Sequence, residues 1–526
     1  MTTPAAALAL RARGNPGGLA FAVNGEPISY GGLADAAARL AAVLAADGLV
    51  PGDHCAVALP TGLDFIRCVY GLQWLGAVPV ALNPALTAQE IAALFHAADC
   101  RLLIATPGVL AGMREAARGE ALRDVTDLCA RAASATPLPV HRGVPDEVAY
   151  LQFTSGTTGE PRAAVILQRN LAASLKGTSR ALGFGPGDVM AGAIPLHHNF
   201  GLVRFVWTPV HAGCPCHLLS QTSGAVQPWL ALMTEARATV TAGPDFLYRA
   251  AAQRGDSAGV NLRSLRFASN GGESARFDTI TRFERRFDVP GTVRPGYGLT
   301  EATLGVCTLT PGLPVRTLDD GTVTCGPPFP GFEIRIADED GVEQPRGERG
   351  EILARGAAVF PGYYRDPEGT DAVLRDGWLH TGDQGVVDAD GFLYVTGRYR
   401  ALIKRGGVTI LPATIERAVE GIEGMGRSAA IGVPDAAAGT DRLVVFVEIA
   451  QPGDAPSAGK HGAMARAIAA ATQQAVGQQP GEIVLVDAGT LPRTGSGKIR
   501  HGQLRSILEG ADAGARLAVI ARFPPR

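Results

Sequence analysis

The sequence predicts an α/β protein in three parts: a large N-terminal region of layered α/β sheets, a β-rich subdomain, and a small α+β C-terminal domain. Residues 19–145 alternate helical and strand-like patterns, residues 325–394 form short strands and turns, and residues 398–526 mix both types. Repeated αβ units favour a largely parallel sheet that is covered on both faces. We place the N-terminal domain at 1–397 and the C-terminal domain at 398–526.

Composition narrows the class of function. The chain has 526 residues, too many for one hydrophobic core, and its 48 basic residues nearly balance 50 acidic ones. This balance argues against a nucleic-acid partner, and no apolar run approaches the length of a membrane span. The eight cysteines show no metal-binding spacing, and the first residues do not read as a signal peptide. We expect a cytoplasmic protein with reduced thiols.

Local patterns predict the elements of the first region. Hydrophobic spacing and turn residues indicate helices at 33–44, 65–75 and 90–98, and strands at 55–59, 78–82 and 101–105. Residues 130–145, rich in Ala and Pro, are interpreted as a connecting loop. Further along, Asn170 is expected to cap a helix that ends near residue 182.

A polar loop, 153–162, lies between apolar runs at 148–153 and 163–167, which predicts a strand–loop–strand unit. It holds several hydroxyls, two glycines and an arginine. Glycines allow backbone N–H groups to approach an anion, hydroxyls add donors, and a guanidinium adds charge. The loop therefore predicts a phosphate cradle. It is not a Walker loop, because the Gly-x4-Gly-Lys spacing is absent; a plain surface hairpin is the alternative.

Later strand-like runs end in polar turns, where α/β sheets place ligands. The run 194–198 ends in two histidines, and the runs 238–242 and 265–268 lead into turns that contain glycine. The turn at 296–301, Gly-Tyr-Gly-Leu-Thr-Glu, adds a ring, a hydroxyl and a carboxylate. A single Gly-x-Gly is a weak signal by itself.

The C-terminal residues suffice for a separate α+β domain. Helices are predicted at 413–419 and 463–475, and strands at 429–433 and 443–449. The final polar loop resembles a Walker motif, but Pro492 and Ile499 stand where a glycine and a hydroxyl residue are needed. A P-loop NTPase is therefore rejected.

Taken together and in this order, these stretches resemble the adenylate-forming superfamily of acyl- and aryl-CoA synthetases, luciferases and adenylation domains. The resemblance spans about residues 19–505. It implies a large N-terminal region, a small mobile C-terminal domain, and a reaction in two steps. A carboxylate attacks the α-phosphate of Mg-ATP to give an acyl-adenylate and pyrophosphate, and a thiol or amine then displaces AMP. Charge gathers on phosphate oxygens, so fixed donors and cations should dominate catalysis.

The resemblance implies a ligand for each stretch. The β- and γ-phosphates are assigned to Thr154, Ser155, Gly156, Thr157, Thr158, Gly159 and Arg162. Adenine and ribose are assigned to Gly271, Gly272, Glu273, Tyr297, Gly298, Asp383 and Arg398, with Tyr297 stacked on adenine and Asp383 accepting both ribose hydroxyls. The catalytic set is Thr300 at the α-phosphate, Glu301 at Mg²⁺, His198 at the acid gate, Lys498 between carboxylate and α-phosphate, and Lys404. Arg400 is the expected hinge, and Gly406 and Gly407 are expected to pass CoA.

The acid pocket is assigned to His198, Asn199, Arg204, Asn270 and Gly296. An amino acid substrate is disfavoured, because no carboxylate that could pair with an ammonium group occurs from 194 to 208. The stretch resembles the corresponding runs of aryl-acid activators and of fatty-acyl and cinnamoyl ligases. Arg204, four residues after Phe200, is expected to share a helical face with it. Our hypothesis is that Arg204 pairs with a second anionic or phenolic group of the acid; a solvated or ion-paired arginine is the alternative.

This sequence departs from the family pattern in two places, in the phosphate cradle and in the segment assigned to the second half-reaction. The cradle ends Pro-Arg162-Ala rather than Pro-Lys-Gly, which keeps the charge but broadens the fork. The segment from Pro412 to Glu416 lacks the first of two carboxylates that relatives usually carry, which weakens the assignment of the second half-reaction.

The sequence therefore predicts an AMP-forming acid ligase that uses ATP, Mg²⁺ and a small carboxylic acid. CoA is the favoured acceptor, and a separate carrier protein or an amine is the alternative, because no carrier domain follows Lys498. A non-catalytic nucleotide-binding homologue is disfavoured, since Glu301, Asp383 and Lys498 are all present. A kinase or ATPase would release ADP instead. The resemblance is compatible with a homodimer and leaves the acid unidentified.

Overall fold

A computed structural model describes residues 3–113, 121–154, 161–220, 226–338, 341–398, 403–405, 408–410, 412–435, 440–449, 458–493, 499–508 and 517–523. Three large sheets lie within residues 19–398, and a four-stranded sheet with a two-stranded ribbon follows. Strands and helices are numbered along the chain.

The first sheet has eight strands in the order β14-β13-β12-β11-β9-β10-β1-β2. Its strands are β1 Leu19–Val23, β2 Glu26–Ser29, β9 Met190–Gly192, β10 Cys216–Leu218, β11 Val240–Gly243, β12 Phe267–Asn270, β13 Val293–Gly298 and β14 Gly305–Thr308. The six inner strands run parallel, and the edge strands β2 and β14 pair antiparallel. The carboxyl ends of β11, β12 and β13 therefore lie side by side at one edge of the sheet.

The second sheet has seven strands in the order β18-β8-β7-β4-β3-β5-β6. Its strands are β3 His54–Ala58, β4 Val78–Ala81, β5 Leu102–Ala105, β6 Leu122–Asp124, β7 Val148–Thr154, β8 Arg162–Leu167 and β18 Gly362–Tyr363. β7 and β8 form the predicted hairpin, and β18 arrives from about 200 residues away to pair with β8.

The third sheet, which is antiparallel, is the predicted β-rich subdomain. Its strands are β15 Thr324–Gly326, β16 Phe332–Ala337, β17 Gly350–Gly356, β19 Leu374–Arg375, β20 Trp378–Val387 and β21 Leu393–Arg398. The strands after residue 400 are β22 Ile403–Arg405, β23 Val408–Ile410, β24 Met425–Asp435, β25 Thr440–Ile449, β26 Glu482–Asp487 and β27 Val519–Phe523.

The helices connect and cover these sheets. They are α1 Pro4–Gly14, α2 Tyr30–Ala46, α3 Leu63–Leu75, α4 Ala88–Ala97, α5 Pro107–Met113, α6 Val125–Ser134, α7 Gln168–Leu182, α8 Asn199–Gly201, α9 Thr208–Ala212, α10 Val226–Glu235, α11 Asp245–Arg254, α12 Phe277–Phe287, α13 Pro367–Asp371, α14 Pro412–Glu420, α15 Ala458–Val476 and α16 His501–Leu508. A π-helix, Leu202–Trp207, joins α8 to α9, and Thr300–Ala302 forms a 3₁₀ turn. No helix in the described ranges is both long and apolar enough to cross a membrane.

The main core lies around α3, in which ten of thirteen residues are buried and the charged residues Asp64 and Arg67 remain partly exposed. A helix that is apolar over most of its surface belongs largely inside a protein. The Cβ of any residue replacing Gly71 would lie 2.9 Å from Leu40 of α2, so the glycine permits close packing of the two helices. The hydroxyl of Tyr70 donates to the carbonyl oxygen of Val206 at 3.0 Å. This bond ties α3 to the π-helix that carries part of the site.

The sheet after residue 400 has its own two hydrophobic clusters. Along β25, Val445 and Val447 enter one cluster while Val444 and Phe446 enter the other, as the period of two in a strand requires. The residues of both clusters lie between 403 and 523. The division of the chain at 397/398 itself stays a prediction.

The structure corrects one local prediction and refines another. Residues 130–134 are helical, because α6 extends to Ser134, so the connecting loop is shorter than predicted. Asn170 is the third residue of α7, which begins at Gln168, and it caps the helix from that position rather than as the N-cap residue, which is Leu167. Asn170 Oδ1 accepts from the backbone N–H of Leu167, and its Nδ2 donates to two carbonyl oxygens of residues 357 and 359. Asn170 therefore fastens α7 to the loop after β17.

Candidate active site

The cradle hairpin ends in an arginine that is held in place. Thr154 and Arg162 face each other at the ends of β7 and β8. Arg162 Nε lies 3.0 Å from Asp366 Oδ2, and its guanidinium lies over the ring of Tyr363, 5.6 Å from the centroid. An arginine fixed in this way presents its remaining N–H donors in a defined direction.

The same tyrosine contacts the predicted magnesium ligand. Tyr363 donates its hydroxyl proton to Glu301 Oε1 at 2.8 Å. Burial, followed by the charge of Glu301, raises the pKa of Tyr363, so the phenol remains a donor at neutral pH. The backbone carbonyl of Glu301 also accepts from Phe360 N. Glu301 is thus oriented by two contacts from one segment.

The predicted adenine and ribose residues meet directly. Tyr297 on β13 donates its hydroxyl to Asp383 Oδ2 on β20 at 2.6 Å. Thr381 Oγ1 accepts from the backbone N–H of Asp383, and the Thr381 hydroxyl in turn donates to Ile352. The ring and the carboxylate, 86 residues apart, thereby form one unit. Asp383 is paired with Arg398 between β20 and β21, and the side chain of Arg398 lies outside the described part of the chain.

We name Arg162, Tyr297, Glu301, Tyr363, Asp366 and Asp383 the nucleotide side of the candidate site. Sequence reasoning missed Tyr363 and Asp366. Their roles arise from the pairing of β18 with β8, and the aromatic pair that follows Gly362 is the only local signal for them. Among the described residues, no three His, Cys, Asp or Glu side chains gather into a metal site. Glu301 fits Mg²⁺ as an oxygen ligand that would bind it together with phosphates.

Glu273, predicted at the nucleotide turn, contacts protein groups with both oxygens. Oε1 accepts from the backbone N–H of Phe246, and Oε2 lies 3.2 Å from Arg427 of the C-terminal region. Nearby, Glu420 on α14 pairs with Arg249 at 3.2 Å and with Arg276 at 2.5 Å. These ion pairs seat α14 and the start of β24 against α11 and α12. The nucleotide-binding role of Glu273 stays a prediction.

We name residues 197–207 together with Asn270 the acid side of the candidate site. It begins with two histidines. Burial lowers the pKa of His197 to about 4, so its imidazole is neutral, and its Nε2 has no hydrogen-bond partner among the described residues. His198 Nδ1 accepts from the backbone N–H of Phe200 at 3.3 Å, which fixes the ring at the start of α8.

Asn199 is held by the fold. Its Oδ1 accepts from the hydroxyl of Tyr150, and its Nδ2 donates to the carbonyl oxygen of Thr303 at 2.6 Å. Packing also explains the glycine at position 296, because a Cβ there would lie 2.6 Å from Thr308 Oγ1. The expected pocket roles of Asn199 and Gly296 stay predictions.

Arg204 lies on the π-helix. The α-helix predicted here is a π-helix at Arg204, and the helical face that Phe200 and Arg204 are expected to share stays a prediction. Arg204 is 3% exposed, and its guanidinium lies over the ring of Phe184 at 5.3 Å. Burial lowers the pKa of Arg204 to about 10. Its Nε and Nη1 have no hydrogen-bond acceptor in the described parts of the chain.

Asn270 closes the acid side at the end of β12. Its Nδ2 donates to Asp245 Oδ1 at 2.9 Å, while its fully buried Oδ1 has no donor among the described residues. Asp245 also accepts from Thr279 and from the backbone of Arg276. The side-chain amide of Asn270 is therefore held through Nδ2, while Oδ1 keeps its capacity to accept a hydrogen bond.

Several predicted residues lie outside the described part of the chain. They are Ser155, Gly156, Thr157, Thr158, Gly159, Arg400, Gly406, Gly407 and Lys498, together with the side chain of Lys404. The roles given to them by resemblance stay predictions. Of the described residues, Thr300 lies in the 3₁₀ turn beside Glu301, and Gly271, Gly272 and Gly298 lie at the ends of β12 and β13.

Comparison with known proteins places the chain in a family. The sequence profile described as AMP-binding enzyme matches residues 8–364, which is more than half of the chain. The chain belongs to the AMP-binding enzyme family. This confirms the family predicted from the ordered stretches, and the matching solved structures confirm the α/β fold class.

Relatives with this fold carry several names. The chain is 32% identical to a feruloyl-CoA synthase of Amycolatopsis sp, over 94% of this chain and 97% of that protein. It is 32% identical to a sulfoacetate–CoA ligase of Cupriavidus necator, over 82% and 85%. It is 30% identical to the long-chain-fatty-acid–AMP ligase FadD26 of Mycobacterium marinum, over 86% of each chain.

Solved structures extend the likeness to the whole chain. A structure from a study of fatty acyl-adenylate ligases of E. coli and L. pneumophila gives a TM-score of 0.87 at 26% identity, over 98% of this chain and 99% of that chain. The amide bond synthetase McbA of Marinactinospora thermotolerans gives a TM-score of 0.80 at 26% identity, over 96% and 100%. The C-terminal region is thus part of the shared architecture.

Proposed function

We propose that this AMP-binding enzyme activates a small carboxylic acid with ATP through an acyl-adenylate and transfers the acyl group to CoA. The observation that carries the proposal is the assembled nucleotide side. Tyr297 and Asp383 form one hydrogen-bonded unit, and Arg162, Tyr363 and Glu301 form a second. The first presents a ring and a carboxylate, and the second a cation and a metal ligand.

The chemistry of the first half-reaction assigns these groups. A carboxylate oxygen of Asp383 accepts hydroxyl protons from ribose, and Tyr297 provides a flat apolar face for adenine. Mg²⁺, when bound with ATP, neutralises phosphate charge, and Glu301 would hold it. Arg162 contributes a fixed positive charge at the end of the cradle. Lys498 would bridge the incoming carboxylate and the α-phosphate as a point charge.

In the second half-reaction the acyl group passes to an acceptor, for which there are two candidates. Two relatives are named for transfer to CoA, which supports CoA as the acceptor here. A fatty-acid–AMP ligase and an amide bond synthetase support the alternative, in which the acid passes to a separate carrier protein or to an amine. We propose that Lys404, Gly406 and Gly407 serve this step after rotation about Arg400. ATP and CoA place this reaction in the cytoplasm.

One incubation tests the proposal. The protein is mixed with Mg-ATP and pooled acids (aryl, cinnamoyl, short- to long-chain acyl, and dicarboxylic), with and without CoA, and the products are identified by mass spectrometry. We expect AMP, pyrophosphate and an acyl-CoA that appears only when CoA is present. An acyl-adenylate that persists with CoA would select the alternative acceptor. Release of ADP, or absence of any acyl product, would contradict acid activation.

A further inference from the structure

The acid side contains an unusual concentration of buried polar atoms without partners. His197 Nε2, Arg204 Nε and Nη1, Trp207 Nε1 and Asn270 Oδ1 are all buried and have no hydrogen-bond partner among the described residues. Buried polar groups in native proteins are paired with few exceptions, and an unpaired one needs an explanation. Four of these five atoms belong to the single stretch 197–207, and such a concentration indicates that a ligand supplies the missing partners.

Arg204 stands out because its charge is also unbalanced. Among the described residues, no carboxylate forms an ion pair with it, and the group that partly offsets the effect of burial on its pKa is the phenol of Tyr248. That phenol donates to the backbone oxygen of Ser269 at 2.9 Å. An isolated buried cation is costly unless an opposite charge compensates it. The part of the fold that the structure describes does not provide that charge.

Two other arginines show what a structural role looks like in this chain. Arg266, which also lies over Phe184, pairs with Asp188 at 2.7 Å and donates to two carbonyl oxygens. Arg294 is 6% exposed, and although its Nε also has no acceptor among the described residues, its Nη1 and Nη2 donate to the carbonyl oxygens of Leu313 and Gly291. Both guanidinium groups use acceptors that belong to the fold. Arg204 has the burial of Arg294 without these acceptors.

The position of Arg204 relates it to the acid. It lies six residues after His198 on one continuous helical segment, which places it no more than about 9 Å from His198 along the helix axis. Tyr248, which affects the pKa of Arg204, donates its hydroxyl to the carbonyl oxygen of Ser269, the residue before Asn270 on β12. A short acid whose reacting carboxylate lies near His198 therefore directs its other end toward Arg204. A π-helix at this point is typical of functional sites.

We propose that Arg204 binds a second anionic group on the substrate, so that the enzyme selects acids carrying a carboxylate or a comparable anion at the end away from the reacting carboxylate. This inference rests on the proposed function and specifies its substrate class. The second anion accepts N–H donors from Arg204 and neutralises its charge. A monocarboxylic acid of the same length leaves the N–H donors and the charge of Arg204 without a partner, so it binds less tightly.

Matched acid pairs test the inference. Pyrophosphate release is measured for succinate against butyrate, glutarate against valerate, adipate against hexanoate, pimelate against heptanoate, and 4-carboxycinnamate against cinnamate. For at least one pair, we expect kcat/KM to be at least tenfold higher for the diacid. Arg204→Met should remove this preference mainly through a higher KM for the diacid, and Arg204→Lys should retain part of it. Arg294→Met is the control and should leave the ratio unchanged.

Thermal unfolding separates this role from a structural one. Because Arg204→Met removes an uncompensated buried charge, we expect its Tm to equal or exceed that of the wild type, whereas Arg294→Met should lower it. The inference is overturned if the wild type prefers the monoacid in every pair, or if Arg204→Met leaves the ratio unchanged. If no acid of either kind releases pyrophosphate, the proposed function itself fails, and the inference fails with it.

Discussion

The nucleotide side and the acid side of the candidate site differ in how their polar groups are satisfied. On the nucleotide side, Tyr297 binds Asp383 and Tyr363 binds Glu301 through short hydrogen bonds. On the acid side, Arg204 and Asn270 keep buried atoms without partners among the described residues. The comparison suggests that the nucleotide side is formed before any ligand binds. By our proposal, the substrate completes the acid side.

The difference fits the chemistry of a family with one common first substrate. ATP is shared by these enzymes, so a preorganised set of donors and acceptors serves every member. The acid varies, as the names feruloyl-CoA synthase and sulfoacetate–CoA ligase illustrate for two relatives. We therefore propose that specificity depends on the polar atoms that the acid side leaves without partners. The predictions below test each side in turn, beginning with the group expected to contact both.

Replacing Lys498 should have the largest effect, because this cation is expected to bridge the acid and the α-phosphate. Lys498→Ala should slow adenylate formation by about 100- to 1000-fold, the usual cost of one preorganised group that stabilises transition-state charge. Use of a preformed acyl-adenylate should be largely retained. Lys460→Ala, on an exposed part of α15, serves as the control. Equal loss of both half-reactions would contradict the assigned role.

Removing the Asp383 carboxylate should mainly weaken ATP binding. Loss of two ribose hydrogen bonds, at about 1–2 kcal/mol each, predicts an increase in the KM for ATP of about 30- to 700-fold in Asp383→Ala. The KM for the acid should change much less, because Asp383 belongs to the nucleotide side. Steady-state kinetics with each substrate varied in turn measures both values. An unchanged KM for ATP would mean that the ribose lies elsewhere.

The Tyr363 hydroxyl should matter because it orients Glu301. Tyr363→Phe removes this single hydrogen bond, and we expect kcat/KM to fall by about 10- to 100-fold, as for other groups that position a metal ligand. The apparent affinity for Mg²⁺ should fall with it. Tyr364→Phe is a matched control, since that hydroxyl donates to Asp99 away from the site. Similar losses in both variants would contradict the positioning role.

His501, which follows the loop of Lys498, should make the thermal stability slightly dependent on pH. His501 Nε2 lies 2.6 Å from Glu416 Oε1. Burial alone would lower the pKa of His501, but the charge and hydrogen bond of Glu416 outweigh it and raise the pKa. The stabilisation is therefore fully present below the unfolded-state pKa of about 6.5 and is lost as pH rises through the folded-state value.

Thermal unfolding from pH 6 to 9 measures this effect. We expect the Tm of the wild type to fall relative to that of His501→Gln by no more than about 3 °C over this range. A difference between the two proteins that is constant with pH would show that the pair contributes no proton-linked stability.

Sequence reasoning predicted the parts of the nucleotide side that occur as continuous stretches. The turn at 296–301 and the segment around Asp383 each carry their own ring, hydroxyl or carboxylate, so they could be found locally. The contribution of Tyr363 could not be found in this way, because it depends on β18 pairing with a strand some 200 residues earlier. Such distant pairing leaves no local pattern.

The same holds for the secondary structure, in which only elements with a local sequence pattern could be predicted. Helices with clear hydrophobic spacing, such as α2 and α3, were predictable, and so was the hairpin of β7 and β8. The π-helix was not, because the residues of Leu202–Trp207 are all buried and carry no periodic pattern. The lack of acceptors around Arg204 among the described residues is likewise a property of the packed structure.

Nucleotide binding in the absence of any acid tests the difference between the two sides most directly. Calorimetry with Mg²⁺ and a non-hydrolysable ATP analogue is applied to the wild type, Asp383→Ala and Arg204→Met. We expect the wild type to bind the analogue without acid, Arg204→Met to match its Kd within about twofold, and Asp383→Ala to bind at least about tenfold more weakly. Binding that requires the acid, or equal weakening in both variants, would contradict a nucleotide side that is complete before the substrate arrives.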